Sequence, residues 1–324
     1  MARRRKTKIP TIRAAELHRI SSADALALVD THFGQHTEWP SDLISYRLSA
    51  DFQADWKEEV GHWLHSATAH GFLRPLLDVV LARAKRGSAS VGVDPNDKRH
   101  LNLMQELTPA MVVHYLVGTG WRFSRWDPDP KGGWGIGDVD LEMESPDGHI
   151  VNFQVKAPDQ PGVHSHGRIL DGEYDDRVRT AVIKGAGQLY SRTRGGPAFV
   201  VVSPQRTRPL ATDPAFLVPY LYGRSMNHVD RPGVWVCASK LGWFFTPWWN
   251  HVSGVIVLGC LRAVEAFSYP CTVLLNPNAT HPGSADWFPR ARVVVLEGDT
   301  FRWIRGPTGI EHSLPDGTMI DWAC

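Results

Sequence analysis

Hydrophobic positions alternate with polar ones along two neighbouring stretches near the middle of the chain, residues 138–144 and 150–156. Successive side chains of a strand point to opposite faces, so this alternation predicts two strands that each have one apolar and one polar face. The stretches flank Pro146-Asp147-Gly148, a combination that is typical of a tight turn. The pattern therefore predicts a β-hairpin. Its apolar positions are Val139, Leu141, Met143, Val151, Phe153 and Val155.

The polar face of this hairpin combines carboxylates on the first strand with amides and an ammonium group on the second. Such a face can hold a hard cation beside a water molecule. The solvated outer face of an antiparallel sheet has the same pattern, so alternation alone leaves both interpretations open. The polar positions are Asp138, Asp140, Glu142, Glu144, Asn152, Gln154 and Lys156.

Helical spacing of apolar residues dominates the chain before the hairpin. Thr108-Pro109 suits a helix N-cap followed by the first helical position, so residues 97–117 form either one helix or two abutting helices. Residues 120–126 alternate and predict a short strand. The helices predicted before the hairpin are residues 23–29, 52–64, 72–84 and 97–117.

The chain after the hairpin predicts a helix over residues 175–190 and then a strand over the apolar run 198–202. A continuous apolar run is expected of a strand that is buried on both faces. From residue 97 to residue 202 the predicted order is therefore helix, three strands, helix, strand. Later strands are predicted at 234–238, 252–258, 271–275 and 291–296.

The length and composition allow a large core and set few limits on function. The chain has 324 residues, of which 43% are hydrophobic and 21% charged, and its net charge of +1 neither favours nor excludes a nucleic-acid partner. The four cysteines lack metal-ligand spacing, which suggests reduced thiols in a cytoplasmic protein. The sequence has no apolar run of about 18 residues, so no membrane partner is expected.

Four regions are predicted from these patterns. Residues 1–11 are a basic flexible tail, and residues 12–95 are a helical N-terminal region. Residues 96–206 form the core, and residues 207–324 form a β-rich, Trp-rich region that is a candidate to extend the core sheet. Within the last region the aromatic segment 243–249 is interpreted as core packing in preference to a partner-binding surface.

The core resembles the PD-(D/E)xK nuclease superfamily, which has a restriction-endonuclease-like fold. The resemblance covers about residues 97–203 and rests on Asp140 (or Asp138), on Gln154-Val155-Lys156 and on the element order. Family members commonly carry Glu where this chain has Gln154, and a Gln-x-Lys variant is known in Mrr-like enzymes. The resemblance implies an α/β (α+β) fold, with an αβββαβ core around a mixed central sheet.

The resemblance also implies a Mg²⁺ or Mn²⁺ site. Mg²⁺ prefers oxygen ligands and keeps several waters, so one or two carboxylates suffice. Lys156 is expected to orient or deprotonate the attacking water. Because Gln154 stands where Glu is common, the site has one negative charge fewer. This loss weakens the metal site unless Asp138, Glu142 or Glu106 compensates. The expected metal ligands are Asp140, Asp138, Gln154, the Val155 carbonyl and Glu106, and the expected substrate contacts are Lys184, Gln188, Arg177, Arg192 and His166.

The sequence thus favours a Mg²⁺-dependent deoxyribonuclease, an endonuclease of the restriction or phage-defence kind that acts on double-stranded DNA. A homodimer or a defence-system partner protein is left open. One alternative is a catalytically degenerate nuclease fold that binds DNA as a scaffold. Another is an interaction protein that acts through the Trp-rich C-terminal region.

Overall fold

Helices and strands alternate through the middle of the chain, and the described residues before them form helices. The computed structural model describes residues 20–33, 50–86, 98–126, 140–158, 171–190, 195–203, 217–223, 226–228, 234–237, 242–258, 271–289, 291–297 and 300–304. The helices within these residues are α1 (Ser22–Phe33), α2 (Ala50–Ala69), α3 (Leu73–Arg86), α4 (Lys98–Gly118), α5 (Asp171–Tyr190) and α6 (Val218–Tyr222).

The strands form one mixed sheet within the described residues. Seven of them lie in the order β1-β2-β3-β4-β7-β8-β9, and the sheet continues as β10-β6-β5. The β3–β4, β4–β7 and β8–β9 pairs are parallel, and the other pairs are antiparallel. The strands are β1 (Arg122–Trp126), β2 (Leu141–Glu144), β3 (Ile150–Lys156), β4 (Ala198–Val202), β5 (Met226–His228), β6 (Val234–Cys237), β7 (Gly254–Leu258), β8 (Cys271–Leu275), β9 (Arg292–Glu297) and β10 (Thr300–Ile304).

The order of elements from α4 to β4 is the predicted one: helix, three strands, helix, strand. Thr108-Pro109 does not start a second helix, because α4 runs through it without a break. The predicted hairpin is confirmed as β2 and β3. Its turn places Gly148 at a φ of 92°, in the left-handed region that favours glycine, and Gly148 N–H donates to the Ser145 carbonyl at 2.9 Å.

Two apolar cores cover the two faces of the sheet. The apolar face of the hairpin packs with α2 and α4 in one core, where Leu141, Met143 and Phe153 are fully buried. The other core lies between the sheet and α5, α6 and the aromatic segment 243–249. Strand β4 contributes Phe199 to the first core and Val200 to the second, so its predicted burial on both faces is confirmed.

The aromatic segment forms two short 3₁₀ turns, Trp243–Phe245 and Pro247–Trp249. Phe244 and Trp249 are buried in the second core, as the packing interpretation predicted. Trp248 differs, because 42% of it is exposed. Among the helices that the structure describes, none combines the length and hydropathy needed to cross a membrane.

Helix α5 lies unusually close to the sheet at Gly185. A Cβ built on Gly185 would lie 2.6 Å from Cγ1 of Val200 and 3.6 Å from Cγ of Lys156. Val200 is fully buried in the central strand β4 and has no room to move away. The absence of a side chain at Gly185 therefore sets the distance between α5 and the sheet.

We predict that Gly185→Ala destabilises the protein by about 1–3 kcal/mol, because the new methyl group overpacks the contact with Val200. Gly187→Ala is the matched control in the same helix, since a Cβ at Gly187 meets nothing within 4 Å. Removal of that glycine should stabilise the helix by about 0.5–1 kcal/mol. Denaturant unfolding of both variants measures the two effects, and equal changes in unfolding free energy would contradict the close packing described here.

Candidate active site

Asp140 lies immediately before β2, across from Gln154 on β3. The ladder places Leu141 opposite Phe153, so Asp140 comes next along the polar face of the hairpin. Its Oδ2 atom accepts hydrogen bonds from the Gln154 side-chain amide and from the Val155 N–H, the latter at 2.7 Å. The Lys156 Nζ atom lies 3.9 Å from the same oxygen. Asp140, Gln154 and Lys156, the three residues predicted to be catalytic, therefore meet at one carboxylate oxygen.

The backbone of Val155 also faces this carboxylate. The N–H and C=O groups of one strand residue point to the same side, and this side alternates along the strand. The backbone groups of Lys156 point towards β4, where its carbonyl accepts a hydrogen bond from Ser203 N–H at 2.8 Å. The backbone groups of Val155 point towards Asp140, because its N–H donates a hydrogen bond to the Asp140 carboxylate. The Val155 carbonyl consequently lies on the same edge of β3 as Asp140.

The Gln154 side chain is almost completely buried, with 1% of the residue exposed. Its Nε2 atom donates to Asp140, and its Oε1 atom is buried without a hydrogen-bond partner in the described part of the chain. A flipped amide would bring two oxygens together, so Asp140 fixes the orientation of the amide. A buried polar atom without a partner costs about 1–3 kcal/mol. The site thus contains a hard oxygen atom, Gln154 Oε1, that accepts no hydrogen bond from the described residues.

Lys156 reaches Asp140 from a stem that lies against α5 at Gly185. The Lys156 and Asp140 side chains are 22% and 28% exposed, so the ion pair is accessible to a ligand from solution. Partial exposure also weakens the pair by solvent screening. The helix therefore positions the lysine stem and leaves the ammonium group at the open side of the site.

The next two carboxylates along β2 have partners on β1. Glu142 accepts from Ser124 Oγ at 2.9 Å and lies 3.9 Å from the Arg125 guanidinium, and Glu144 pairs with Arg122. Glu142 was one of the three carboxylates expected to compensate for the charge missing at Gln154. The structure instead engages Glu142 with the edge strand. The sequence shows the arginines of β1, but their pairing with Glu142 and Glu144 depends on the register of β1 against β2.

The other predicted site residues fall into two groups. Lys184 and Arg177 are exposed on α5 and Gln188 is half-buried there, on the helix that covers the sheet face of Gln154 and Lys156. Lys184 directly precedes the glycine that contacts Lys156. Asp138, His166 and Arg192 lie outside the described residues, and so does the side chain of Glu106, whose backbone belongs to α4.

The donor atoms at this site match the preferences of a hard divalent cation. The Asp140 carboxylate, the Gln154 amide oxygen and the Val155 carbonyl are all oxygen donors, which suit Mg²⁺ or Mn²⁺. Across the stretches with described side chains, no group of three or more His, Cys, Asp and Glu residues could hold a metal ion. A cation here would therefore depend on neutral oxygens in addition to one described carboxylate.

Comparison of the chain with protein-family models, with curated proteins and with solved structures gives no match in any of the three. The functional conclusion therefore rests on the residues of this site and their geometry.

Proposed function

We propose that the protein is a metal-dependent nuclease that hydrolyses phosphodiester bonds in DNA, built on a restriction-endonuclease-like core. The observation that carries the proposal is the meeting of Asp140, Gln154 and Lys156 around one carboxylate oxygen. The same three residues, on adjacent strands, carry the resemblance to the PD-(D/E)xK superfamily. Double-stranded DNA as substrate and a restriction or phage-defence role rest on that resemblance alone.

The residues of the site have distinct tasks in this proposal. Asp140, the Val155 carbonyl and the Gln154 amide oxygen would hold Mg²⁺ or Mn²⁺, the amide turning from its hydrogen bond to Asp140 so that its oxygen faces the ion. When bound, the cation neutralises charge on the phosphoryl group and makes an attacking water easier to deprotonate. Lys156 donates hydrogen bonds that orient the water and stabilise the negative charge that develops in the transition state. Water forms the new P–O bond and gives up a proton to solvent, while the bond to the sugar oxygen breaks and that oxygen takes up a proton from solvent.

Gln154 also affects whether the metal ion binds before DNA or together with it. The charges of Asp140 and Lys156 cancel, and Glu142 and Glu144 have arginine partners on β1. The described site therefore attracts a divalent cation weakly. Mg²⁺ sites on nucleotide substrates commonly combine few carboxylates with substrate phosphates. The proposal is that DNA phosphate supplies the charge that Gln154 lacks, so that the metal binds tightly only together with DNA.

A non-catalytic DNA-binding protein on the same fold is the second candidate function. The neutral side chain of Gln154 favours it, because a scaffold has no need for a charged metal site. Titration calorimetry with Mn²⁺ in the presence of a non-hydrolysable oligonucleotide separates the two. The nuclease binds the metal under these conditions, and the scaffold does not.

We predict that Lys156→Ala and Asp140→Ala each abolish cleavage of plasmid DNA in the presence of Mg²⁺ or Mn²⁺. The first loses the group that orients the water, and the second loses the carboxylate on which the site is built. Lys57→Ala is the control, because Lys57 pairs with Asp30 in the N-terminal helices. Its cleavage rate should equal that of the wild type. Wild-type cleavage rates in both site variants would exclude the assignment.

We predict that Gln154→Glu lowers the stability of the metal-free protein by about 1–3 kcal/mol, because the Asp140 carboxylate loses a donor and gains a like charge. The same change should raise the affinity for Mn²⁺ without DNA by about tenfold or more, since opposite charges then meet at short range. Thermal unfolding and calorimetry with and without Mn²⁺ measure both effects.

Asn152→Asp is the control for this experiment, because Asn152 lies on the same face of β3 but pairs with Glu142. It adds the same charge two residues from Gln154 and should leave the Mn²⁺ affinity unchanged. An equal gain in both variants would show that the effect is general electrostatics. No gain in either variant would mean that Gln154 does not face the metal.

A further inference from the structure

The exposed side of α5 combines cationic and apolar side chains. The α5 surface consists of Arg177, Ile183, Lys184 and Tyr190 of this helix together with Trp248. Tyr190, Trp248 and Ile183 are 63%, 42% and 42% exposed, and they are three of the four exposed large hydrophobic residues in the described part of the chain. Ile183 and Tyr190 are seven residues apart, as are Arg177 and Lys184, so each pair lies about 10 Å apart along one side of the helix, and the cationic pair comes first along the helix axis.

The aromatic rings of Tyr190 and Trp248 are held in place by the His251 ring. Tyr190 and Trp248 lie nearly parallel, at an interplanar angle of 17° and a centroid distance of 6.3 Å. The His251 ring meets both of them edge-on, at 5.1 Å and 5.6 Å, and its Nε2 atom donates to the Ala186 carbonyl at 2.8 Å. Burial lowers the pKa of His251, which favours the neutral form of the supporting ring. The rings are therefore exposed and preorganised together.

The sequence from Arg177 onward is cationic, whereas the first turns of α5 carry Asp171, Glu173, Asp175 and Asp176. From Arg177 to Thr212 the chain carries seven Lys and Arg residues and no Asp or Glu, although the whole chain has a net charge of only +1. Residues 242–258, which include Trp248 and His251, contain no charged residue. Arg177, Lys184 and the two exposed rings suit a partner that brings negative charge and flat apolar groups together. Nucleic acid has both, in its phosphates and its bases.

We propose that the α5 surface binds an unpaired nucleic-acid strand. Bases stack on Tyr190 and Trp248, and phosphates meet Arg177 and Lys184. Base stacking on aromatic side chains requires unstacked bases, and paired bases inside a duplex present only their edges. As a statement about the substrate, the proposal narrows double-stranded DNA to duplex DNA with a single-stranded segment, and in this form it rests on the proposed nuclease function. As a statement about binding, it is tested without cleavage.

The test is fluorescence anisotropy with a labelled oligothymidylate and a labelled duplex of equal length, both without divalent metal. The wild type should bind the single strand more tightly than the duplex. Tyr190→Ala and Trp248→Ala should each weaken single-strand binding by about tenfold. Tyr190→Phe and Trp248→Phe keep the rings and should bind like the wild type. Lys184→Gln should reduce the slope of log affinity against log salt by about 0.7.

Ile150→Ala is the control, because Ile150 is 46% exposed and lies outside the α5 surface. This variant should bind the single strand like the wild type. Equal single-strand affinity in the wild type and both alanine variants would overturn the proposal, and so would tighter binding of the duplex. Ring-dependent binding without cleavage would leave the proposal standing and contradict the nuclease function. Cleavage together with single-strand binding that does not depend on the two rings would support the nuclease function and contradict the proposed binding surface.

Discussion

The parallel pairing of β3 with β4 is the constraint on which the rest of the structure depends. Strand β4 is buried on both faces, so its neighbour β3 must place its own side chains against a core or against α5. Gln154 pairs with Val200 in this ladder and is buried with it. A buried amide needs polar partners, and Asp140 is the one that the described chain supplies. The site is thus a consequence of how the sheet is packed.

Helix α5 connects the proposed site with the proposed binding surface. On its inner side Gly185 allows contact with Val200 and with the stem of Lys156. On its outer side the same helix presents Lys184 and Tyr190 to solvent. A strand of nucleic acid that lies along α5 would therefore be held by the element that also positions Lys156. Under the two proposals, one helix would take part in both substrate binding and chemistry.

Sequence patterns predicted the elements from α4 to β4 and the two faces of the hairpin because alternation and helical spacing are local properties. They did not predict that Glu142 and Glu144 are engaged by β1, since this depends on the register of a strand about 20 residues away. Nor did they predict the unused Gln154 oxygen, which depends on burial by α5 and on the orientation imposed by Asp140. The exposure of Trp248 beside the buried Trp249 was equally invisible, because the turn that separates them is set by tertiary packing.

The central claim is that Asp140 and Gln154 hold a divalent cation beside a DNA phosphate. A crystal structure of the complex with Mn²⁺ and a non-hydrolysable oligonucleotide tests this claim most directly, because anomalous scattering identifies the metal. The account predicts an anomalous peak at about 2.0–2.3 Å from an Asp140 carboxylate oxygen, with the Gln154 Oε1 atom turned towards it. A complex in which the DNA is bound and Asp140 still accepts the Gln154 amide, with Mn²⁺ elsewhere, would contradict it.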